Sequence, residues 1–154
     1  MKIRKFKSSD SVEVARSHRG TIRYINKANY PPKQIKVWSG RVSAKRFRES
    51  IHQRKRFVAI EKGKIVGFGD FSPDGELTGL YVNKDFQRKG VGKYLLKKLE
   101  KEARKQGIKE FHLSSTITAK IFYQRNGYQI TKKGKHEING QMLVVYRMKK
   151  KLGK

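Results

Sequence analysis

The 154-residue chain contains no cysteine. This absence excludes disulfide bonds, thiolate metal sites and catalysis through a cysteine nucleophile. Long apolar runs are also missing: no segment approaches the ~20 residues that a membrane-spanning helix requires, and the N-terminal segment MKIRKFKSSD lacks the apolar stretch of a secretory signal. We therefore expect a cytoplasmic protein that does not cross a membrane.

Acidic residues are scarce as well. The 12 Asp and Glu residues stand against 39 Lys and Arg residues, which gives a formal net charge of +27. Such a charge attracts anions and repels cations, and it leaves two interpretations open: a weak association with nucleic acid or the ribosome, or a solvated basic surface without a specific partner. The apolar content of 36% suffices for one core, so residues 1–154 are expected to form a single domain.

Hydrophobic periodicity and turn residues predict a chain of the α/β class. Ser43 can cap a helix over 44–52, and Lys62-Gly63 and Asn139-Gly140 are the turn signals of two hairpins. An amphipathic helix is expected over 90–106, where apolar residues recur every four positions. The other predicted elements are strands at 1–6, 57–60, 65–71, 76–82 and 110–114, an early helical region that ends near residue 28, a second one after the prolines at 31 and 32, and a short helix at 118–125.

A loop of small and basic residues precedes the amphipathic helix. Its sequence, QRKGVGK at 87–93, combines glycines with basic side chains. The first turn of a helix carries unpaired N–H groups and the positive end of the helix dipole, and glycine lets a phosphate approach the backbone without meeting a Cβ atom. The loop therefore predicts an anion site, although Gly-x-Gly before a helix also occurs as a tight turn needed only for packing.

This segment resembles the signature of the GNAT superfamily of N-acetyltransferases, (Gln/Arg)-x-x-Gly-x-(Gly/Ala) between a strand and an amphipathic helix, which FQRKGVGKYLL matches without a gap. Downstream, SSTITAKIFYQRNGYQI is similar to the second motif of the family, except that Thr118 stands where many members have Asn. The resemblance implies acetyl-coenzyme A as cosubstrate. It also implies a mixed, mostly antiparallel central sheet flanked by helices, with a V-shaped splay between the two central strands.

The resemblance further implies a set of coenzyme-binding residues. In the family, the loop holds the pyrophosphate, the preceding strand pairs its backbone with the pantetheine arm, and the second motif lies beside that arm. The residues implied here are Gln87, Arg88, Lys89, Gly90, Val91, Gly92 and Lys93 in the loop, Leu80, Tyr81 and Val82 in the strand, and Thr118, Ala119 and Phe122 in the second motif.

Two residues are candidates for proton transfer, since an amine must be neutral to attack a thioester and the departing thiolate needs a proton. Tyr123 matches the position that many family members use to contact the coenzyme sulfur. The alternative interpretation of this residue is a core aromatic with a hydrogen-bonded hydroxyl. Glu76 lies eleven positions before Gln87, the spacing at which some relatives carry a base, and its alternative is a surface carboxylate at a strand end.

The early helices of the family cover the acceptor cleft, which makes Asn26, Tyr30 and Trp38 candidates for acceptor contacts, with packing as the alternative. No metal is predicted, because the four histidines show no metal-ligand spacing: they are His18, His52, His112 and His136.

The predicted function is direct acetyl transfer to a primary amine of a small molecule, because INKANY and Trp38 resemble a subgroup of uncharacterised bacterial and archaeal small-molecule N-acetyltransferases. The net charge disfavours polyamines and Lys-rich peptides and favours a neutral or weakly basic amine. Three alternatives stay open: a protein N-terminal or lysine acetyltransferase of the ribosomal-protein type, a basic nucleic-acid or ribosome-binding module, and an inactive fold that binds acetyl-coenzyme A. The sequence does not choose between a monomer and a homodimer.

Overall fold

A computed structural model describes residues 1–153 of the chain. The strands are β1 (Lys2–Lys5), β2 (Lys55–Glu61), β3 (Lys64–Phe71), β4 (Leu77–Val82), β5 (Glu110–Thr116), β6 (Gln129–Ile138) and β7 (Gln141–Lys151). The helices are α1 (Ser11–Tyr24), α2 (Pro32–Arg41), α3 (Ala44–Glu49), α4 (Val91–Lys105) and α5 (Lys120–Arg125). Across these residues, no helix is both long enough and apolar enough to cross a membrane.

The strands form two sheets that meet at one point. Strands β1-β2-β3-β4 make the first sheet and β5-β7-β6 the second, and every neighbouring pair within them is antiparallel. Between the sheets, β4 and β5 are joined by a single parallel bridge, Glu76 to His112, where the His112 N–H donates to the Gly75 carbonyl (3.1 Å). Beyond this bridge the two strands are unpaired. The expected mixed fold, with a V-shaped splay between its central strands, is confirmed.

Both predicted hairpins form at their turn signals. Lys62 and Gly63 have φ of 50° and 75°, and Asn139 and Gly140 have φ of 46° and 83°. Two consecutive residues with positive φ twist a two-residue turn in the same sense as the strands that it joins. These turns set the register of β2 against β3 and of β6 against β7.

Helix α4 packs closely on the first sheet because β3 carries glycines at the contact. A Cβ atom added at Gly69 would lie 2.6 Å from Leu99 Cδ1, and one added at Gly67 would lie 3.0 Å from Leu95 Cδ1. The buried stripe of α4 is the predicted one, and it joins the largest apolar core of the protein. This packing fixes the N-terminus of α4 beside the end of β4.

Two predicted helices differ from the structure in their bounds. The helix expected over 44–52 begins at its Ser43 cap but ends at Glu49, since the Arg56 guanidinium donates to the Phe47 carbonyl (2.9 Å) and to the Ser50 hydroxyl (2.8 Å). The early helical region ends at residue 28 as predicted, with an α-helix to Tyr24 followed by a 3-10 turn at Asn26–Ala28. The short helix starts at Lys120, because β5 extends to Thr116 and the chain must then turn.

Candidate functional site

The N-terminus of α4 presents free backbone N–H groups at the end of the gap between β4 and β5. Its N-cap residue, Gly90, is left-handed with φ of 81° and supplies no side-chain cap. The Tyr94 N–H bonds to the Gly90 carbonyl, and the preceding amides in the first turn have no partner within the helix. A Cβ atom at Gly90 would meet nothing within 4 Å, so the space beside this residue is open. Backbone geometry, dipole and open space together suit an anion.

Basic side chains surround this helix terminus. Arg88, Lys89 and Lys93 are all exposed. Gln87 has a different role: its Nε2 donates to the Val82 carbonyl (2.8 Å), which ties the loop back to the end of β4. The loop therefore combines one anchored residue with several cations that are free to contact a phosphate.

The β4 backbone is paired on one side only. Leu80, Tyr81 and Val82 all lie opposite residues of β3 in the sheet register. The Val82 carbonyl points away from β3, because it accepts from the Thr21 hydroxyl (2.7 Å) and from Gln87 Nε2. Since backbone groups alternate in direction along a strand, the N–H and C=O of Leu80 point the same way as those of Val82, away from β3. An extended ligand can therefore add to β4 within the gap.

The second motif lies against the first. A Cβ atom at Gly92 would lie 3.4 Å from Phe122 Cζ and 3.5 Å from Val82 Cγ2, so the loop, β4 and α5 converge at Gly92. Ala119 packs beside Phe122 against the main core. Thr118 accepts a hydrogen bond from Asn26 Nδ2 (3.2 Å).

Tyr123 is buried at the inner end of this arrangement, with 7% of its surface exposed. Its ring packs edge-on against Phe122 and Tyr128, and its hydroxyl hydrogen-bonds to none of residues 1–153. Burial, with a contribution from Tyr81, raises the pKa of Tyr123 far above its ordinary value. The hydroxyl is protonated at neutral pH, as it is at the ordinary value, and it is free to donate a hydrogen bond. Tyr128, by contrast, donates to Glu100 Oε2 (2.7 Å).

A cleft of about 530 Å³ lies on the other face of the same gap. Tyr30 and Trp38 line it and pack edge-on at 5.5 Å, while the Tyr30 hydroxyl donates to the Val144 carbonyl (2.6 Å) and accepts from the Ile117 N–H (2.9 Å). Asn26 is not among the lining residues: it contacts Thr118, and its Oδ1 is buried without a partner. The structure thus brings two of the three predicted acceptor residues to the cleft.

Glu76 also lines this cleft, at the residue before β4. Its backbone is fixed, because its N–H donates to Asp74 Oδ1 (3.0 Å) and its carbonyl accepts from the Ser72 N–H (2.9 Å). Within residues 1–153 its half-buried carboxylate forms no ion pair. An unpaired carboxylate at a cleft can accept a proton from a bound ammonium group.

A buried ion pair in the cleft wall was missed by the sequence reasoning. Arg56 Nε donates to Asp70 Oδ2 (2.6 Å), both side chains are 2% exposed, and Asp70 Oδ1 accepts from the Thr78 hydroxyl (2.6 Å). Thr78 is the extra residue of a bulge in β4. The available signal was the charge of Asp70 inside the apolar strand GFGDF, which indicates a buried partner. The turn alone would pair Asp70 with Lys55, and a register shift at Ala59/Ile60 brings Arg56 opposite it instead.

His18 was also missed as a residue of the cleft. Its ring lies 3.9 Å from that of Tyr81 and 5.3 Å from that of Phe68, measured between centroids. The residue as a whole is half-buried, but both ring nitrogens are shielded from solvent and have no hydrogen-bond partner. Burial, with a smaller contribution from Arg19, lowers the pKa of His18 to about 3. Nothing in the sequence around it signals this environment.

Comparison with known proteins identifies the family. The model of the acetyltransferase (GNAT) domain matches residues 26–152. The chain belongs to the GNAT family. The uncharacterized N-acetyltransferase YafP of Escherichia coli (strain K12) is 26% identical over 151 residues, covering 98% of this chain and 96% of that protein. The expected enzyme class, an acetyl-coenzyme A dependent N-acetyltransferase, is confirmed at the level of the family.

Solved structures of GNAT proteins share the fold. A GCN5-related N-acetyltransferase from Rhodopseudomonas palustris superposes with a TM-score of 0.92 at 24% identity, covering 97% of this chain and 94% of that one. The PaiA N-acetyltransferase of Thermoplasma acidophilum, solved with coenzyme A, has a TM-score of 0.80 at 23% identity over 97% and 98% of the two chains. The residues of this GNAT chain fit such a coenzyme, because open amides and cations meet at the start of α4. Within the described part of the chain, no three His, Asp or Glu side chains cluster as a metal site.

Proposed function

We propose that this GNAT enzyme transfers an acetyl group from acetyl-coenzyme A directly to a primary amine of a small molecule. The observation that carries the proposal is the gap between β4 and β5, with an anion site at one face and the acceptor cleft at the other. The cleft volume of about 530 Å³ falls in the range of small-molecule sites, roughly 300–1,000 Å³.

Coenzyme binding is assigned to three segments. The amides of Val91, Gly92 and Lys93 would hold the pyrophosphate, with added charge from Arg88 and Lys89. The free side of β4 at 80–82 would pair with the pantetheine arm, and Thr118, Ala119 and Phe122 would lie along it. Gln87 and Gly90 would contribute by holding the loop in the conformation that binds the pyrophosphate, Gln87 through its hydrogen bond to Val82 and Gly90 through its positive φ.

The chemistry of the transfer requires three proton movements. Acetyl-coenzyme A supplies an acetyl group activated as a thioester. Glu76 would take a proton from the bound ammonium group and pass it to solvent, so that the amine nitrogen can bond to the carbonyl carbon as the C–S bond breaks. The nitrogen then loses its second proton to solvent, and Tyr123 would give its proton to the departing sulfur and recover one from solvent. Each turnover of an ammonium substrate therefore releases one proton, the amide and the free thiol.

The fold itself does not choose the acceptor. Neighbours at TM-scores of 0.70 and 0.72 are named ribosomal-protein alanine N-acetyltransferases, from Brucella melitensis and Escherichia coli, and one at 0.74 is named an aminoglycoside 6'-acetyltransferase. A protein acceptor is therefore the second candidate. Cytoplasmic location, weak nucleic-acid or ribosome association and a monomeric or dimeric state are further predictions from the sequence.

Free-thiol release from acetyl-coenzyme A in an amine screen tests this function, and Tyr123→Phe tests the assigned acid. Since general acids commonly contribute about 100-fold or more, Tyr123→Phe should lower single-turnover acetyl transfer by about that factor with little change in coenzyme affinity. Tyr128→Phe is the matched control, because it removes a hydroxyl already bound to Glu100. It should lower thermal stability and leave the rate near that of the wild type. Equal rates for both variants would remove Tyr123 from the mechanism.

A further inference from the structure

Among the charged residues that line the acceptor cleft, arginines outnumber carboxylates. They come from α2, α3, the following turn, β2 and β7, whereas Asp70 and Glu76 are the lining carboxylates. Asp70 is already neutralised by Arg56. The remaining lining arginines have no carboxylate partner anywhere in residues 1–153, and they are Arg41, Arg46, Arg54 and Arg147. The local field of the cleft thus has the same sign as the net charge, and no acidic pocket reverses it.

Arg147 is the best fixed of these side chains. It lies half-buried on β7, opposite Ser114 of β5. One guanidinium nitrogen donates to the Ser114 hydroxyl (2.6 Å), and the other lies 3.4 Å from His112 Nδ1. Neither partner is a carboxylate, so they orient the guanidinium without cancelling its charge, and they leave further N–H donors free. A planar guanidinium held in this way is suited to a carboxylate or a phosphate.

Arg147 and the candidate base flank the same residue. His112 forms the bridge to Glu76 and also contacts the Arg147 guanidinium. A group bound by Arg147 would therefore lie close to an amine facing Glu76. The far part of the cleft is apolar, with Trp38, Leu143 and other residues of one buried cluster lining it.

We propose that the acceptor is a small amine that carries its own anionic group, a carboxylate or phosphate, which Arg147 binds while the amine faces Glu76. This inference rests on the proposed acetyl transfer and names its acceptor class. It goes beyond the expectation from net charge, which favours a neutral or weakly basic amine. The cleft supports the more specific inference because it contains an oriented guanidinium, that of Arg147, with no carboxylate partner.

Matched acceptors test the proposal. Phenylalanine is compared with phenylalaninamide and phenethylamine, and 2-aminoethylphosphonate with ethylamine, by thiol release. The anionic member of each series should have a kcat/KM at least about tenfold higher, since only that member accepts a charge-assisted hydrogen bond from Arg147. The better of the two anionic amines shows whether a carboxylate or a phosphate is preferred. A preference for the amide or the plain amines would overturn the proposal, while their acetylation would still support the function.

Substitution of the arginine provides the second arm. Arg147→Gln should raise KM for the anionic amine more than it lowers kcat, and should reduce the acid-over-amide ratio about tenfold. Arg48→Gln, an exposed arginine of α3 outside the cleft, should keep the wild-type ratio. An unchanged ratio in Arg147→Gln would overturn the assignment.

Binding measurements distinguish a failure of the proposed acetyl transfer from a failure of the proposed anionic acceptor class. Phenylalanine and its amide are titrated calorimetrically into protein saturated with coenzyme A. Absence of thiol release with every amine would refute the proposed function for these amines, yet tighter binding of the acid, lost in Arg147→Gln, would still support the anionic class. Equal binding of acid and amide would overturn it.

Discussion

The coenzyme loop and the acceptor cleft lie on two faces of one gap, but the chain builds them differently. The loop consists of consecutive residues, 87–93, and its anion-binding groups are backbone amides at one helix terminus. The cleft is assembled from α1, α2, α3 and strands of both sheets, and its wall contains a buried ion pair. Changes in the loop should therefore alter coenzyme affinity more than stability, whereas changes in the cleft wall should alter stability first.

The largest expected effect lies in the cleft wall. Asp70→Ala leaves Arg56 as an uncompensated charge at 2% exposure, which typically costs about 3–5 kcal/mol. We expect this loss in the free energy of unfolding, measured by urea denaturation. The matched control is Asp85→Ala, which removes the exposed partner of Lys84 beside the loop and should cost no more than about 1 kcal/mol. Equal losses in the free energy of unfolding of the two variants would contradict the claim that the cleft wall contributes more to stability than the loop region does.

A smaller expected effect is the pH dependence of the free energy of unfolding that His18 in the cleft wall causes. His18 has a folded pKa of about 3 against an ordinary value of 6.5, so between these values the unfolded chain binds a proton that the folded protein does not. Stability therefore falls as pH falls below about 6.5, and the group should account for a loss of about 2 kcal/mol between pH 7 and pH 5. The coenzyme loop contains no histidine or carboxylate and should contribute no such slope.

His18→Phe retains an aromatic ring and removes the titrating group. Urea unfolding at pH 7 and pH 5 should show a flatter dependence for this variant than for the wild type. His52→Gln, in the exposed turn after α3, should keep the wild-type slope. If His18→Phe also keeps that slope, His18 is not buried in its neutral form and the structure of the cleft wall is wrong at this point.

The same contrast explains how much the sequence could predict. The hairpins, the amphipathic α4 and the loop before it are local patterns, and each formed where its residues indicated. The cleft depends on long-range contacts: Arg147 meets His112 across paired strands, and His18 meets Tyr81 across the helix–sheet interface. No spacing rule connects such pairs. Asp70 is the intermediate case, because a charge inside an apolar strand indicates a buried partner once the hairpin register is known.

The central claim is that the start of α4 binds the coenzyme, and calorimetric titration of acetyl-coenzyme A into Gly90→Val tests it most directly. Gly107→Val is the matched control, because Gly107 follows the other end of the same helix with the same φ of 81° and the same open space around a Cβ atom. Both variants should lose a similar amount of stability, about 1–2 kcal/mol, through a strained left-handed valine. The account predicts coenzyme affinity at least about tenfold weaker in Gly90→Val and unchanged in Gly107→Val. Wild-type affinity in a folded Gly90→Val protein would contradict it.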